Sequence, residues 1–263
     1  QAGVRTIMIT GDQSDTAYAI GQKVGISQDG QEPITGSQLK KFNLEELKEK
    51  IKTHSIFARV SPKDKLDIID ALNGNDEITA TTGDGVNDAP ALKKADIGVS
   101  MGQRGTAVAK EASDMVLLDD RFGTIVDAIK RGRVIFDNIQ KFIHYLFSCN
   151  LSEILFIFIG ILLQLPTPLL ALQILWLNLV TDVFPALVMG FEQPEDNVMN
   201  KPPRDPTKAI MTNKFKLKIG IQGLIITMGP LFTYMYALNH FNTMESRTIG
   251  FMTLAFVQLF HVF

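Results

Sequence analysis

The sequence predicts an α/β domain with a parallel sheet, followed by an all-α transmembrane helical domain. Three observations carry this. Up to about Lys141 short apolar runs alternate with polar turns. Beyond it, apolar stretches of roughly 15 to 23 residues take over, close to the ~20 that a bilayer requires. Lys and Arg concentrate on alternate connections between those stretches, as cytoplasmic loops do.

In the first half, apolar or β-branched runs recur at Thr6–Thr10, Ser55–Val60, Ile78–Thr82, Ile97–Ser100 and Met115–Leu118. Helix-like segments at Asp15–Val24, Lys63–Leu72 and Ala89–Ala95 separate several of them. Strands alternating with helices of this length pair in parallel, in a sheet covered on both faces. Residues 27–53 are polar and read as peripheral. Within them Asn43 and Glu46 are spaced as an N-cap with its box partner, opening a helix to Lys52.

The second half holds four apolar segments, at about 142–165, 169–191, 219–238 and 249–263. Gln164–Pro168 has no basic residue, whereas the next connection carries Lys201, Arg204, Lys208, Lys214, Lys216 and Lys218. Lys130, Arg131, Arg133 and Lys141 precede the first segment, and Asn239–Thr248 holds only Arg247. The basic residues place 1–141 and about 192–218 on the cytoplasmic side of a multi-pass membrane protein. The expected division is 1–133 for the α/β domain and 134–263 for the stalk and membrane helices. Gln1 is not an initiator Met, and the last apolar stretch stops short of a full span, so the parent protein is expected to extend in both directions. A net charge of −2 gives no footprint for nucleic acid, and a single cysteine, Cys149, excludes an internal disulfide.

Two strand candidates end in Thr-Gly-Asp, at Thr10-Gly11-Asp12 and Thr82-Gly83-Asp84. Ligands of open α/β sheets bind outside the C-terminal strand ends. The longer run, Thr82-Gly83-Asp84-Gly85-Val86-Asn87-Asp88-Ala89-Pro90, sets two carboxylates four apart across a glycine-rich turn. Glycines let the backbone approach a ligand, and Mg²⁺ takes one or two carboxylates together with phosphate oxygens. A surface turn uses the same residue types, but one Gly-Asp-Gly would suffice for it. Thr10-Gly11-Asp12 offers a hydroxyl and backbone N–H groups to phosphate oxygens, and Lys65 can neutralise charge on a phosphoryl group. No Walker-type glycine loop is present, so a P-loop mechanism is unsupported.

In the membrane half, Glu153 and Asp182 each interrupt an apolar span, at about 2.5–3.5 kcal/mol apiece on insertion scales. Asn150 shares a helical face with Glu153. Asn178, Thr181 and Asp182 fall at i, i+3 and i+4. Pro185 can free carbonyls as ligands. Interhelical hydrogen bonding explains many intramembrane Asn and Thr residues. Five oxygen-bearing residues on two consecutive spans instead describe a hard-cation site. Asn150-Leu151-Ser152 has the glycosylation pattern but lies inside a span. His144 and Cys149 have no partner at metal-ligand spacing and read as packing residues.

Ile9-Thr10-Gly11-Asp12, Phe57-Ala58-Arg59-Val60 and Thr82 through Leu92 resemble the later motifs of P-type ion-pumping ATPases, whose phosphorylation domain has the haloacid-dehalogenase-like, Rossmann-like fold. The resemblance implies that Asp84 coordinates Mg²⁺ and that Asp88 and Asn87 support that site. It implies too that Lys65 contacts the phosphoryl group and that Thr10, Gly11 and Asp12 line the pocket. The family's phosphorylated aspartate lies in an Asp-Lys-Thr-Gly-Thr motif that is absent here. The chain therefore resembles the C-terminal part of a pump, inactive alone, with ATP bound mainly by the missing upstream part. Ser148 to Glu153 and Leu175 to Asp182 resemble the fifth and sixth transmembrane helices of calcium-transporting type II pumps, and Pro202-Pro203-Arg204 resembles their next cytoplasmic loop. Ca²⁺ is thus the implied cargo, with the lipid bilayer and the rest of the pump as partners. Sodium–potassium pumps generally carry Asp where Asn178 stands. Gln258 aligns with a glutamate of two-site calcium pumps, which makes a second ion site doubtful. The alternatives are a pump for Na⁺, Mn²⁺ or H⁺, a membrane-anchored phosphatase of the same fold, and a non-catalytic cation-binding membrane protein.

Overall fold

The computed structural model describes residues 2–26, 31–205 and 208–262. The expectations for residues 27–30 and for Phe263 lie outside them. Two compact units are present: Gln1–Ile129 with Met199–Arg204, and Lys130–Val198 with Asp205–Phe263.

The first unit contains β1 (Met8–Ile9), α1 (Ser14–Lys23), β2 (Ile34–Thr35), α2 (Gly36–Leu39), α3 (Leu44–Thr53), β3 (Ile56–Ala58) and α4 (Pro62–Asn73). After these come β4 (Ala80–Gly83), α5 (Ala89–Lys94), β5 (Ile97–Met101), α6 (Ala107–Ala112) and β6 (Met115–Leu117). Every pairing is parallel, as the alternation predicts. The strands form two three-stranded sheets rather than one, ordered β1-β3-β2 and β4-β5-β6. β1 and β4, the strands that lead into the two Thr-Gly-Asp runs, each have a single neighbour among the described residues. The expected cover on both faces holds for β3. Phe57 packs into a core with Ile34, Leu39, Leu47, Ile51 and Ile68, while Ile56 and Ala58 face Ala17 on the other side. It does not hold for β4, whose Ala80 and Thr82 are exposed.

Helix starts follow capping. Ser61, Pro62 and Asp64 build a capping box at α4, with Asp64 Oδ2 accepting from the Ser61 N–H at 2.8 Å and hydroxyl at 2.7 Å. The predicted Asn43–Glu46 box opens α3.

The second unit contains α7 (Phe122–Leu162) from Lys130 onward, α8 (Ala171–Trp176), a π-helical stretch Leu177–Asp182, α9 (Val183–Gly190), α10 (Asn213–Leu238) and α11 (Thr243–Phe260). Phe122–Leu162, Ala171–Gly190 and Asn213–Leu238 are long and apolar enough to cross a membrane. Several boundaries differ from the apolar segments. The first helix begins 20 residues before the expected 142 and stops at Leu162, where Gln164 turns left-handed at φ +55°. Helices α10 and α11 begin six residues early, because Thr212 and Asn242 cap them and their first turns tolerate polar residues. The second segment is broken by the π stretch.

These helices expose many apolar side chains and bury several polar ones. Leu172, Ile154, Phe158, Ile161 and Phe184 are among the exposed side chains, while Ser148, Ser152, Glu153, Thr181, Asp182, Thr227 and Gln258 are buried. An apolar cluster of Phe156, Leu177, Ile226, Leu231, Tyr234 and Leu254 packs beside them. Water would reverse that pattern; hydrocarbon favours it.

Candidate functional site: a carboxylate loop and a buried membrane cluster

In the first unit the carboxylates fall where the strand ends predict. Chain leaving β4 passes Gly83 and Asp84, then a 3₁₀ turn over Val86–Asp88 leads into α5. The Asp88 side chain folds back over this loop. Its Oδ2 accepts from the backbone N–H of Gly85 at 3.1 Å and of Asp84 at 3.3 Å, and its Oδ1 accepts from Lys65 Nζ at 2.6 Å. Lys65 stands one turn into α4, so the Ser61 box that starts this helix also sets where the ammonium reaches. Asp84 and Asp88 are held differently in this loop. Asp88 is committed to its own loop and to Lys65. The Asp84 carboxylate is exposed, with no hydrogen bond among the described residues, while its backbone is held by the Thr106 N–H donating to its carbonyl at 2.8 Å. Asn87 is also exposed.

Gly83 makes the fold-back possible. A Cβ there would stand 2.9 Å from Asp88 Cγ and closer still to its Cβ. Gly83→Ala should therefore expel the Asp88 side chain and break the Lys65 pair. The expected cost is about 1–3 kcal/mol, as for overpacking, read as a lower unfolding midpoint.

Burial raises the pKa of Asp88, but the Lys65 hydrogen bond, the Gly85 N–H, the Lys65 charge and the Asp84 N–H outweigh it and hold the carboxyl below its ordinary 3.8. A folded value below the unfolded one means stability that is complete above about pH 4–5 and fades as pH falls through the depressed folded value. Asp88→Asn should therefore show a shallower loss of stability on the acid side than the native protein, in unfolding midpoints measured across pH.

The Thr10-Gly11-Asp12 run follows β1. The Thr10 hydroxyl donates to Asp12 Oδ2 at 2.9 Å and accepts from the Asp12 N–H at 3.1 Å. Backbone bonds from Arg59 to Asp12 and from Val60 to Thr10 tie this loop to the segment before α4. Gly11 is exposed, with open space where a Cβ would stand. Among the described residues no hydrogen bond joins this loop to Asp84–Asp88. In this unit Lys65 and Asp88 are predicted residues that meet from separate elements.

In the second unit, the predicted residues of the two apolar helices do meet. Asn150 Nδ2 donates to Asp182 Oδ2 at 3.1 Å. Glu153 and Asp182 are each 3% exposed. Thr181 Oγ1 donates to the Leu177 carbonyl at 2.6 Å and approaches Gln258 Oε1 at 3.3 Å. Asn178 is turned to its own helix, donating to the Ile174 carbonyl at 3.1 Å. The expected i, i+3, i+4 face is really a π turn, Leu177–Asp182, a wider turn common at functional sites.

Two groups complete the cluster. Gln258 is fully buried and bridges three helices: its Nε2 donates to Glu153 Oε1 at 3.1 Å while its Oε1 faces Thr181. Tyr145, missed in the sequence, donates its hydroxyl to the Thr181 carbonyl at 2.6 Å. Pro185 was the available signal, since a proline orphans the carbonyl four residues back. Asp182 Oδ1 and Ser148 Oγ are buried with no hydrogen-bond partner among the described residues. Cys149 is a buried free thiol, and the His144 ring packs against Phe215 and His261.

Residues 1–96 and 65–129 match the haloacid dehalogenase-like hydrolase family, and residues 166–263 match the cation transporting ATPase C-terminus. The whole chain is 47% identical to a calcium-transporting ATPase of Bacillus subtilis, over 30% of that protein's length. It is 41% identical to calcium-transporting ATPase 1 of Bacillus cereus, over 31% of its length. A calcium-transporting ATPase 1 of Lactococcus lactis is 46% identical across 88% of the chain and 26% of the relative. The chain thus spans about a third or less of the curated relatives it matches. With a haloacid-dehalogenase-like domain followed by the family's C-terminal helices, the chain belongs to the P-type cation-transporting ATPases.

Proposed function

We propose that this chain is the C-terminal part of an ATP-driven pump that moves Ca²⁺ across a membrane. The observation that carries the proposal is the buried membrane cluster. Glu153 and Asp182 sit together among apolar helices, and one Asp182 oxygen has no partner. A carboxylate desolvated without a counter-charge is costly, and a divalent cation supplies one. Carboxylate, amide and hydroxyl oxygens suit a hard cation better than a transition metal. The calcium-transporting relatives favour Ca²⁺ over Na⁺, Mn²⁺ or H⁺.

On this reading residues 1–133 are the end of the phosphorylation domain and 134–263 the stalk and membrane helices, crossing more than once. Residues 1–141 and about 192–218 then face the cytoplasm. Helix α7 is 41 residues long, about 61 Å at 1.5 Å per residue, twice the ~30 Å hydrocarbon core. Half of it therefore stands outside the bilayer, as a stalk requires.

The phosphate chemistry belongs to the Asp84 loop. The free, backbone-anchored carboxylate of Asp84 suits Mg²⁺, with Asn87 beside it; bound there, Mg²⁺ would neutralise phosphoryl charge. Lys65, steered by Asp88, would face the same charge, and Thr10, Gly11 and Asp12 would offer a hydroxyl and N–H groups. The phosphorylated aspartate would come from a segment outside this sequence. The single-sided pairing of β1 and β4 leaves open strand edges for such a segment to join.

The test is ATP-dependent uptake of radiolabelled Ca²⁺ into vesicles by the intact protein. Uptake saturating at micromolar Ca²⁺ is the expected result. Uptake of Mn²⁺ but not Ca²⁺ would overturn the choice of ion. Phosphatase activity that needs neither Glu153 nor Asp182 would overturn the pump.

A further inference from the structure

The helix carrying Asp182 holds a proline three residues on. Proline donates no hydrogen bond, so the carbonyl at i−4, that of Thr181, loses its ordinary helical partner. In hydrocarbon no water replaces that partner, and each unsatisfied backbone group is costly. From sequence, such a carbonyl reads as a free cation ligand. In the structure it is occupied: the Tyr145 hydroxyl donates to it at 2.6 Å from the facing helix. Tyr145 is 1% exposed, and its ring stacks on His261 at 6.0 Å and 23°, so the hydroxyl has little freedom to leave.

The capped carbonyl lies at a critical place. It belongs to the π turn Leu177–Asp182, which presents Asn178, Thr181 and Asp182. On one side the Thr181 hydroxyl reaches Gln258, and on the other Asp182 meets Asn150. A wide turn has weaker internal register than an α-helix, so an external anchor decides which way its side chains point.

We propose that Tyr145 is a positioning residue for the cation site. It caps the Thr181 carbonyl that Pro185 leaves without a donor, and thereby holds the π turn in the register that aims Thr181 and Asp182 at the site. This deepens the pump reading and rests on it. Tyr145 touches no cation; it acts through one backbone oxygen. Its role should therefore exist only while position 185 lacks an N–H.

A double-mutant cycle tests this in the intact protein, using Ca²⁺ uptake titrated against free Ca²⁺. Tyr145→Phe should raise half-saturating Ca²⁺ about tenfold, the scale of one unsatisfied buried carbonyl, with the maximal rate within about twofold. In a Pro185→Ala background the same substitution should change half-saturation by less than about twofold, because the restored N–H serves the carbonyl. An equal shift in both backgrounds, or none in either, overturns the proposal. Should Pro185→Ala fail to fold, Pro185→Leu restores the same N–H and the same comparison decides. Run as unfolding midpoints in detergent, the cycle tests the hydrogen bond without transport. The loss from Tyr145→Phe must shrink when Pro185 is replaced, and equal losses would overturn the cap. Absence of Ca²⁺ uptake by the native protein would instead remove the pump reading while leaving that second cycle to judge the cap.

Discussion

Asp182→Asn is expected to abolish Ca²⁺ uptake at micromolar concentrations while leaving the fold intact. The side chain keeps its volume, and Oδ2 has a neutral counterpart that can still accept from Asn150 Nδ2. What disappears is a charge. Two unit charges about 4 Å apart at an effective dielectric near 20 interact by about 4 kcal/mol, so removing the carboxylate should weaken cation binding by about three decades. Asp182 Oδ1 is buried and has no hydrogen-bond partner among the described residues, so the substitution leaves the protein's own contacts there unchanged. Equilibrium binding of radiolabelled Ca²⁺ and vesicle uptake should both report the loss, with an unfolding midpoint equal to or above the native one, since a buried charge has been removed. Retained micromolar uptake would show that the cation binds elsewhere.

Asp84→Asn should reduce phosphoenzyme formation in the intact protein by two to three orders of magnitude, at unchanged Ca²⁺ binding. The backbone of Asp84 is fixed by the Thr106 N–H on its carbonyl and by its own N–H on Asp88 Oδ2. Neither contact involves the side chain, so Asn keeps the loop and loses only the anionic ligand. Electrostatic groups of this kind are commonly worth about 3–4 kcal/mol, at about 1.4 kcal/mol per decade of rate. Raising Mg²⁺ should recover part of the rate, because the defect is one of metal affinity. Unchanged phosphorylation would remove Asp84 from the site and leave its exposed carboxylate as a surface feature.

Much of this was legible in the residues. The Asn43–Glu46 box is a local signal, settled by groups within four residues of one another, and the structure keeps it; the Ser61–Asp64 box that starts α4 is equally local, and the structure adds it. The parallel pairing also followed from local alternation. The single continuous sheet did not, because β1 and β4 each have only one strand beside them. In the loop, the residue types are legible in the sequence and their arrangement is not. Two carboxylates four apart suggested convergence, but Gly83 gives the Asp88 side chain room to lie back on its own backbone and reach Lys65, 23 positions away. Nothing near Asp88 announces that partner.

In the membrane half, Asn150, Glu153, Asn178, Thr181 and Asp182 stand out in the sequence, because an ionisable or amide group in an apolar span carries a cost that demands a partner. That physical imbalance is local and needs no structure. Which partner meets it is a matter of helix packing. Gln258 lies 105 residues from Glu153, and Tyr145 lies 36 from the carbonyl it caps. Periodicity also presumed an α-helix where the chain makes a π turn, so Asn178 points along its own helix instead of across. The sequence by itself determined the two kinds of domain, the capped helices and the chemical inventory of both sites, since those follow from propensities and transfer costs paid within a few residues. Only the tertiary structure decided which oxygens are spent on neighbours and which, such as Asp182 Oδ1, have no hydrogen-bond partner among the described residues, because hydrogen-bond partners across a fold are chosen by distances that no linear spacing encodes.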